Sequence, residues 1–265
     1  MIRRTSDTAF YLLTEEYAPK KNILTDKQIL DFQNNGFLVL EKFIKPELID
    51  VHMSNPKRNH SEKVDHTKDG SILNILCGDE VQEVLKQLDY AVALHSAVTY
   101  ETSSEKPWHQ DVVLTSKFGG AQYVGVWVAC EDISEDSGPF QLIAGSHKWD
   151  IDYKHVYDFP EDELGKGILQ ERTQLEVDKR KSESKVFKFH AKKGDIIIWH
   201  GQLFHSASTP ENRNATRKSL TGHYCNVYAN NQQNESPPKL DFIFEEMKSL
   251  TQMFARNGDG GYYFL

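Results

Sequence analysis

Trp108-His109-Gln110-Asp111 sets a histidine and a carboxylate two residues apart, and a second histidine, His205, closes the run Trp199-His200-Gly201-Gln202-Leu203-Phe204-His205. In an extended segment residues i and i+2 point the same way, so His109 and Asp111 can address one ion while Gln110 points elsewhere. Two histidines and one carboxylate hold a divalent metal on one face and leave the other face open, which is the ligand set of non-haem iron(II) oxygenases. The His-x-Asp spacing alone is weak. With 11 histidines and 19 aspartates roughly one such match arises by chance, and one occurs. A surface His–Asp pair is the plainer alternative, so the neighbourhood has to decide.

Pro107-Trp108 fixes the chain ahead of the pair and puts a bulky ring at its rim. Lys193-Gly194-Asp195 is a tight turn into the apolar strand Ile196-Ile197-Ile198-Trp199, which leads to His205. His200 is the rival third ligand. Leu203-Phe204 would bury His205, whereas His200 beside Gly201 reads as a turn position. His147, His190 and His223 read as hydrogen-bonded structural histidines. Arg217 and Ser219 share one face of a strand, and an arginine fork beside a hydroxyl suits one end of a dicarboxylate. A surface arginine is the alternative there, and Arg213, in the polar turn Pro210-Glu211-Asn212, is the fallback.

These residues need a frame. Thr25 with Gln28 spells a capping box for a helix over 26–34, which Asn35-Gly36 ends. Phe37-Leu38-Val39-Leu40 is a short strand, and Pro46 starts a second helix. Residues 54–71 are polar, with Asn55-Pro56 and Asp69-Gly70 as turn signals, and read as a loop. A third helix runs from Asp79 to Leu88, with Val81, Val84, Leu85 and Leu88 at helical spacing. From Tyr90 strand-like runs take over, at 91–100, 123–130, 186–189, 196–199 and 219–228, separated by turns such as Ser137-Gly138-Pro139. The charged stretch 150–185 reads equally as a solvated insertion or as a lid. A helix-like stretch from Phe242 to Phe254 precedes a glycine-rich tail. The fold class is mainly β with flanking helices: a sandwich or barrel core buttressed by a helical N-terminal part.

The bulk numbers narrow the options. A chain of 265 residues suits one domain, with a helical part over about 1–90, a β core over about 91–230 and a C-terminal helix and tail over 231–265. A net charge of −8 argues against nucleic acid or an anionic membrane surface as partner. No apolar run approaches the roughly 20 residues needed to span a bilayer, and the N-terminus does not read as a signal peptide. Cys77, Cys130 and Cys225 are odd in number and widely spaced, as expected of free thiols in the reducing cytoplasm. Oligomeric state is not legible.

Taken together, the residues resemble the phytanoyl-CoA dioxygenase family of iron(II)/2-oxoglutarate-dependent oxygenases. The likeness runs through Asn35-Gly36-Phe37-Leu38-Val39-Leu40, Trp108-His109-Gln110-Asp111, Val126-Trp127-Val128-Ala129, Asp136-Ser137-Gly138-Pro139-Phe140, Ala144-Gly145-Ser146-His147-Lys148, Lys193-Gly194-Asp195, His205 and Arg217-Lys218. The resemblance implies a double-stranded β-helix, the cupin-like jelly roll. It implies His109, Asp111 and His205 as ligands of Fe(II), Arg217 as partner of the distal carboxylate of 2-oxoglutarate, Trp127 as a lining of the co-substrate pocket and Ser219 as a polar helper. Dioxygen would be the second co-substrate and ascorbate an auxiliary reductant. The implied reaction is hydroxylation of an unactivated C–H bond of a small biosynthetic metabolite, lipid or solute, with release of succinate and CO2. Desaturation, epoxidation and oxidative cyclisation use the same cofactors. Asp111 favours oxygenation over halogenation, since related halogenases carry a small residue there. A reading of another class is a jelly-roll protein that holds a metal without turnover; Arg217 and Trp127 argue against it. A hydrolytic zinc site lacks a general base beside the triad.

Overall fold

The computed structural model describes residues 2–4, 10–12, 19–55, 63–64, 69–88, 90, 92–111, 123–151, 163–180, 184–226 and 263–264. In chain order these form β1 (Ile2–Arg4), β2 (Phe10–Leu12), α1 (Asp26–Asn35), β3 (Phe37–Leu40), α2 (Pro46–Met53), β4 (Lys63–Val64), α3 (Gly70–Leu76), α4 (Asp79–Gln87), β5 (Val92–Tyr100), β6 (Val124–Ala129) and β7 (Phe140–Ile143). They continue as α5 (Glu163–Arg180), β8 (Val186–Phe189), β9 (Ile196–His200), β10 (His205–Ala207), β11 (Ser219–Asn226) and β12 (Tyr263–Phe264). Among the described residues a larger antiparallel sheet has the order β12-β5-β11-β6-β9-β3, with β4 also pairing β5. A smaller one has the order β10-β7-β8, and β1 and β2 form a separate ribbon. Neighbouring strands are mostly distant in sequence, the signature of a jelly roll.

Two cores share the central strands. Alternate residues point to opposite faces. Val124, Val126 and Val128 of β6, with Ile196 and Ile198 of β9, join the core under the helices. Trp127, Ala129, Ile197 and Trp199 turn the other way and pack against Phe140, Leu142 and Phe189 of the smaller sheet. Both strands are buried on both faces, so they read in the sequence as unbroken apolar runs. The outer core is closed by Phe32, Ile49, Ile72, Ile75, Val84 and Leu85 from α1 to α4.

The capping box at α1 forms as the sequence predicts. Thr25 Oγ1 accepts the Gln28 N–H at 3.3 Å and Gln28 Oε1 accepts the Thr25 N–H at 2.9 Å, while Gly36 ends the helix at φ 78°. Gly36 is forced by space as well, because an added Cβ would meet the His147 ring at 2.4 Å.

Three expectations change. Asp69-Gly70 is not a loop turn but the start of α3, with the Asp69 carboxylate accepting the Ser71 N–H at 2.9 Å as an N-cap. The stretch 150–185, read as a solvated insertion or a lid with weak periodicity, holds the 18-residue helix α5 over 163–180. Among its described side chains Thr173 and Val177, four apart, are buried. Val177 and Leu169 pack with Phe204, Ile151, Trp149 and Trp108, and thereby brace the segment that carries His109. The strands β7 and β10 were not anticipated. The helix expected from Phe242 to Phe254 lies outside the described residues. No helix among the described residues is long and apolar enough to cross a membrane.

Candidate metal centre

His109 and His205 are brought together by backbone pairing. They face each other in an isolated antiparallel bridge, each N–H donating to the other's carbonyl at 3.0 Å. Directly opposed residues of an antiparallel pair project side chains to the same face, and the two rings stand 4.2 Å apart. The bridge extends β10 on the side away from β7, and Ala207 N–H to Lys106 O at 3.0 Å continues it. Asp111 is two residues past His109, as the spacing requires.

Each ring is oriented by its own chain. His109 Nδ1 donates to Pro107 O at 2.7 Å and His205 Nδ1 donates to Leu203 O at 3.0 Å. A carbonyl can only accept, so the proton sits on Nδ1 and Nε2 presents a lone pair, the arrangement that orients metal-bound imidazoles. His109 Nε2 is 3.8 Å from Asp111 Oδ1 and His205 Nε2 is 3.5 Å from Asp111 Oδ2. One ligand atom from each of the three residues lies within 4.8 Å of the others. Metal bonds of ~2.1 Å at right angles put neighbouring ligand atoms about 3 Å apart, so small movements would close this group on an ion.

The electrostatics suit a cation. Burial pushes the His205 ring down to about 3, Asp111 only partly opposing it, and burial likewise lowers His109. Both imidazoles are therefore neutral at neutral pH, the form that ligates. Burial alone would raise the Asp111 carboxyl, but His205, His223 and His109 around it hold it well below the usual carboxylate range. It is an anion enclosed in the protein interior. The Trp199 indole N–H donates to its Oδ2 at 3.0 Å.

The co-substrate residues meet in the same pocket. Arg217, Trp127, His109 and His205 all line a cleft with about 400 Å³ of space, part of it open to solvent. Arg217 is 2% exposed, and among the described residues its guanidinium makes one hydrogen bond, from Nη1 to Gly138 O at 3.2 Å. Its Nε, the Trp127 Nε1 and the Ser219 Oγ are buried without a partner among the described residues. Burial draws the Arg217 guanidinium down to about 10, which leaves it charged. A buried cation facing no carboxylate among the described residues is costly unless an anion joins it. The donor set therefore fits a bound carboxylate, and the three ligands fit its metal. Ser219 is buried beside the cleft rather than in its wall, where Thr221 stands instead.

The rivals sit elsewhere. Arg213 is at the surface, 67% exposed and paired with Glu105. His200 is buried but turned away from the triad. Its Nδ1 accepts the Gln202 N–H at 3.1 Å, its ring lies 5.3 Å from that of His147, and burial and that neighbour push it down to about 3. His147 bonds Gln33 O at 3.2 Å, and His190 is exposed. Sequence reasoning missed Trp199 and His223 as neighbours of Asp111. Strand alternation over 217, 219, 221 and 223 was the available signal for His223.

The chain matches the family described as Phytanoyl-CoA dioxygenase (PhyH) over residues 47–219. It is 24% identical over 250 residues to the peroxisomal phytanoyl-CoA dioxygenase of Bos taurus, an alignment covering 84% of this chain and 71% of the bovine one. Among solved structures it resembles EctD from S. alaskensis with bound Fe, at TM-score 0.60 and 16% identity over 86% of this chain and 81% of that one. It also resembles the epimerase SnoN in complex with Fe3+, alpha ketoglutarate and nogalamycin RO, at TM-score 0.59 and 13% identity over 82% and 88%. At these identities the structural likenesses speak for the shared fold.

Proposed function

The chain belongs to the phytanoyl-CoA dioxygenase family and is an iron- and 2-oxoglutarate-dependent oxygenase; from that premise we propose that it hydroxylates an unactivated C–H bond of a small-molecule substrate. The observation that carries this reading is the meeting, in one cleft, of the two histidines of a three-ligand group with a buried arginine that has no carboxylate partner among the described residues. In it His109, Asp111 and His205 hold the iron, Arg217 takes the distal carboxylate of 2-oxoglutarate, and the Trp127 indole N–H and Ser219 hydroxyl are the polar groups held nearby. When bound, iron with 2-oxoglutarate and dioxygen supplies the oxidising power, and the co-substrate leaves as succinate and CO2. The chain's own residues supply orientation and shielding. The Nδ1–H bonds to Pro107 and Leu203 keep both imidazoles correctly turned, and burial keeps them neutral. Trp127, Phe140 and Trp199 line the cleft with apolar surface and limit the water that reaches the reacting atoms. No protein acid or base is needed to break the substrate C–H bond.

The reading includes one domain over 1–265, supported by the pairing of β12 with β5, and the reducing cytoplasm, supported by the odd number and wide spacing of the cysteines. The test is oxygen-dependent succinate formation with Fe(II) and candidate substrates. Product mass then separates hydroxylation, which adds one oxygen, from desaturation or cyclisation, which removes two hydrogens. His109→Ala and Asp111→Ala are each expected to abolish succinate formation. Normal turnover in either would sink the assignment.

A further inference from the structure

The face of β11 that carries Ser219 and Thr221 ends at His223, since residues two apart in a strand point the same way. His223 lines the same cleft as His109 and His205. Its Nε2 is 3.5 Å from Asp111 Oδ2, the oxygen that already accepts the Trp199 indole N–H. Its Nδ1 is 3.4 Å from Ser96 Oγ. A serine hydroxyl donating to Nδ1 leaves the ring proton on Nε2, facing the carboxylate. The ring is stacked on Tyr123, with centroids 5.7 Å apart at 18°, and meets Trp199 edge-on at 5.9 Å. These contacts pack the ring on two sides. His223 opposes Ser96 across β11 and β5, which brings the serine hydroxyl to its Nδ1.

His223 is not one of the three residues whose ligand atoms converge. Resting on the iron-site reading above, we propose that His223 is a positioning residue: with Trp199 it holds Asp111 Oδ2 by hydrogen bond, and so fixes the carboxylate in the orientation from which it ligates the metal beside His109 and His205. The 3.5 Å separation is at the long end for a hydrogen bond, and bonds around catalytic groups commonly tighten once ligands bind. Partners of metal-bound carboxylates and imidazoles typically influence affinity by 10–100-fold.

Cobalt(II), titrated into the metal-free protein and followed by its visible absorption, tests the role without reference to turnover. His223→Phe keeps a ring for Tyr123 and Trp199 and removes the donor. His223→Gln keeps an N–H near the Nε2 position and removes the ring. The expected result is cobalt affinity weakened by about 10–100-fold in the phenylalanine variant, with an altered cobalt spectrum, and most of the loss recovered in the glutamine variant. Wild-type affinity in His223→Phe, or equal losses in both variants, would overturn the proposal. A lower melting temperature without a lower affinity would assign His223 to packing and overturn it as well. Asp111→Ala in the same titration reports on the site itself. Undiminished cobalt affinity there would count against the metal assignment rather than against His223.

Discussion

Arg217 and Arg213 stand four residues apart in the sequence and are chemically identical, yet one is 2% exposed in a cleft and the other pairs with Glu105 at the surface. The difference is made by the backbone: Arg217 N–H donates to Glu101 O at 2.7 Å as the strand begins, whereas Arg213 lies in the preceding turn. Removing one partner of a buried charge pair costs 2 kcal/mol or more. Arg217→Ala should therefore raise the Kd of 2-oxoglutarate for the metal-loaded protein by at least about 30-fold in anaerobic calorimetry. Arg213→Ala, at an exposed position, should change it by less than about twofold. The reverse pattern would reassign the clamp. At this scale the sequence was legible where chemistry constrains spacing. His109-x-Asp111 and Arg217-x-Ser219 announce shared faces by alternation alone. His223 was read as structural because its partner, Asp111, is far away in sequence and meets it only in the fold.

The strands β6 and β9 connect the fold to the site. Gly125 of β6 opposes Trp199 of β9, and a Cβ on Gly125 would lie 2.0 Å from the Trp199 ring. The glycine is what lets the indole lie across the neighbouring strand and reach Asp111. Gly125→Ala should cost about 1–3 kcal/mol of stability through overpacking, and should weaken metal binding because the indole is displaced from the carboxylate. Gly167 in α5 is the contrasting case. A Cβ there meets nothing within 4 Å, so Gly167→Ala should stabilise by roughly 0.5–1 kcal/mol. Thermal melts of the metal-free variants, with cobalt titrations for Gly125→Ala, measure both. Destabilisation at Gly167, or none at Gly125, would contradict this packing. The same elements explain what was readable. Strands β6 and β9 are buried on both faces and so apolar throughout. Helix α5 hid because its buried stripe includes the polar Thr173 between Leu169 and Val177, with charges on the remaining faces. Strand β10 has three residues and owes its form to pairing with β7, which no local pattern specifies.

For the molecule as a whole, the segment ahead of α1 is tied to α4 across the outer core. The N–H groups of Lys20 and Lys21 donate to Glu83, and those of Ile23 and Leu24 to Gln87. The helices thus fasten one face of the larger sheet, and α5 braces the segment before His109. The cleft brings together residues from the 104–109 segment, β6, β10 and β11, from one half of the chain to the other. In the proposed function this cleft chelates 2-oxoglutarate on iron. This is tested most directly by adding 2-oxoglutarate to the Fe(II)-loaded protein without oxygen and recording the visible spectrum. Chelation of a 2-oxo acid by Fe(II) produces a charge-transfer band. The account predicts that the band saturates at one equivalent in the wild type, is absent in Asp111→Ala, and in Arg217→Ala requires at least about 30-fold more 2-oxoglutarate. Iron binding with no band at any concentration of 2-oxoglutarate would contradict it.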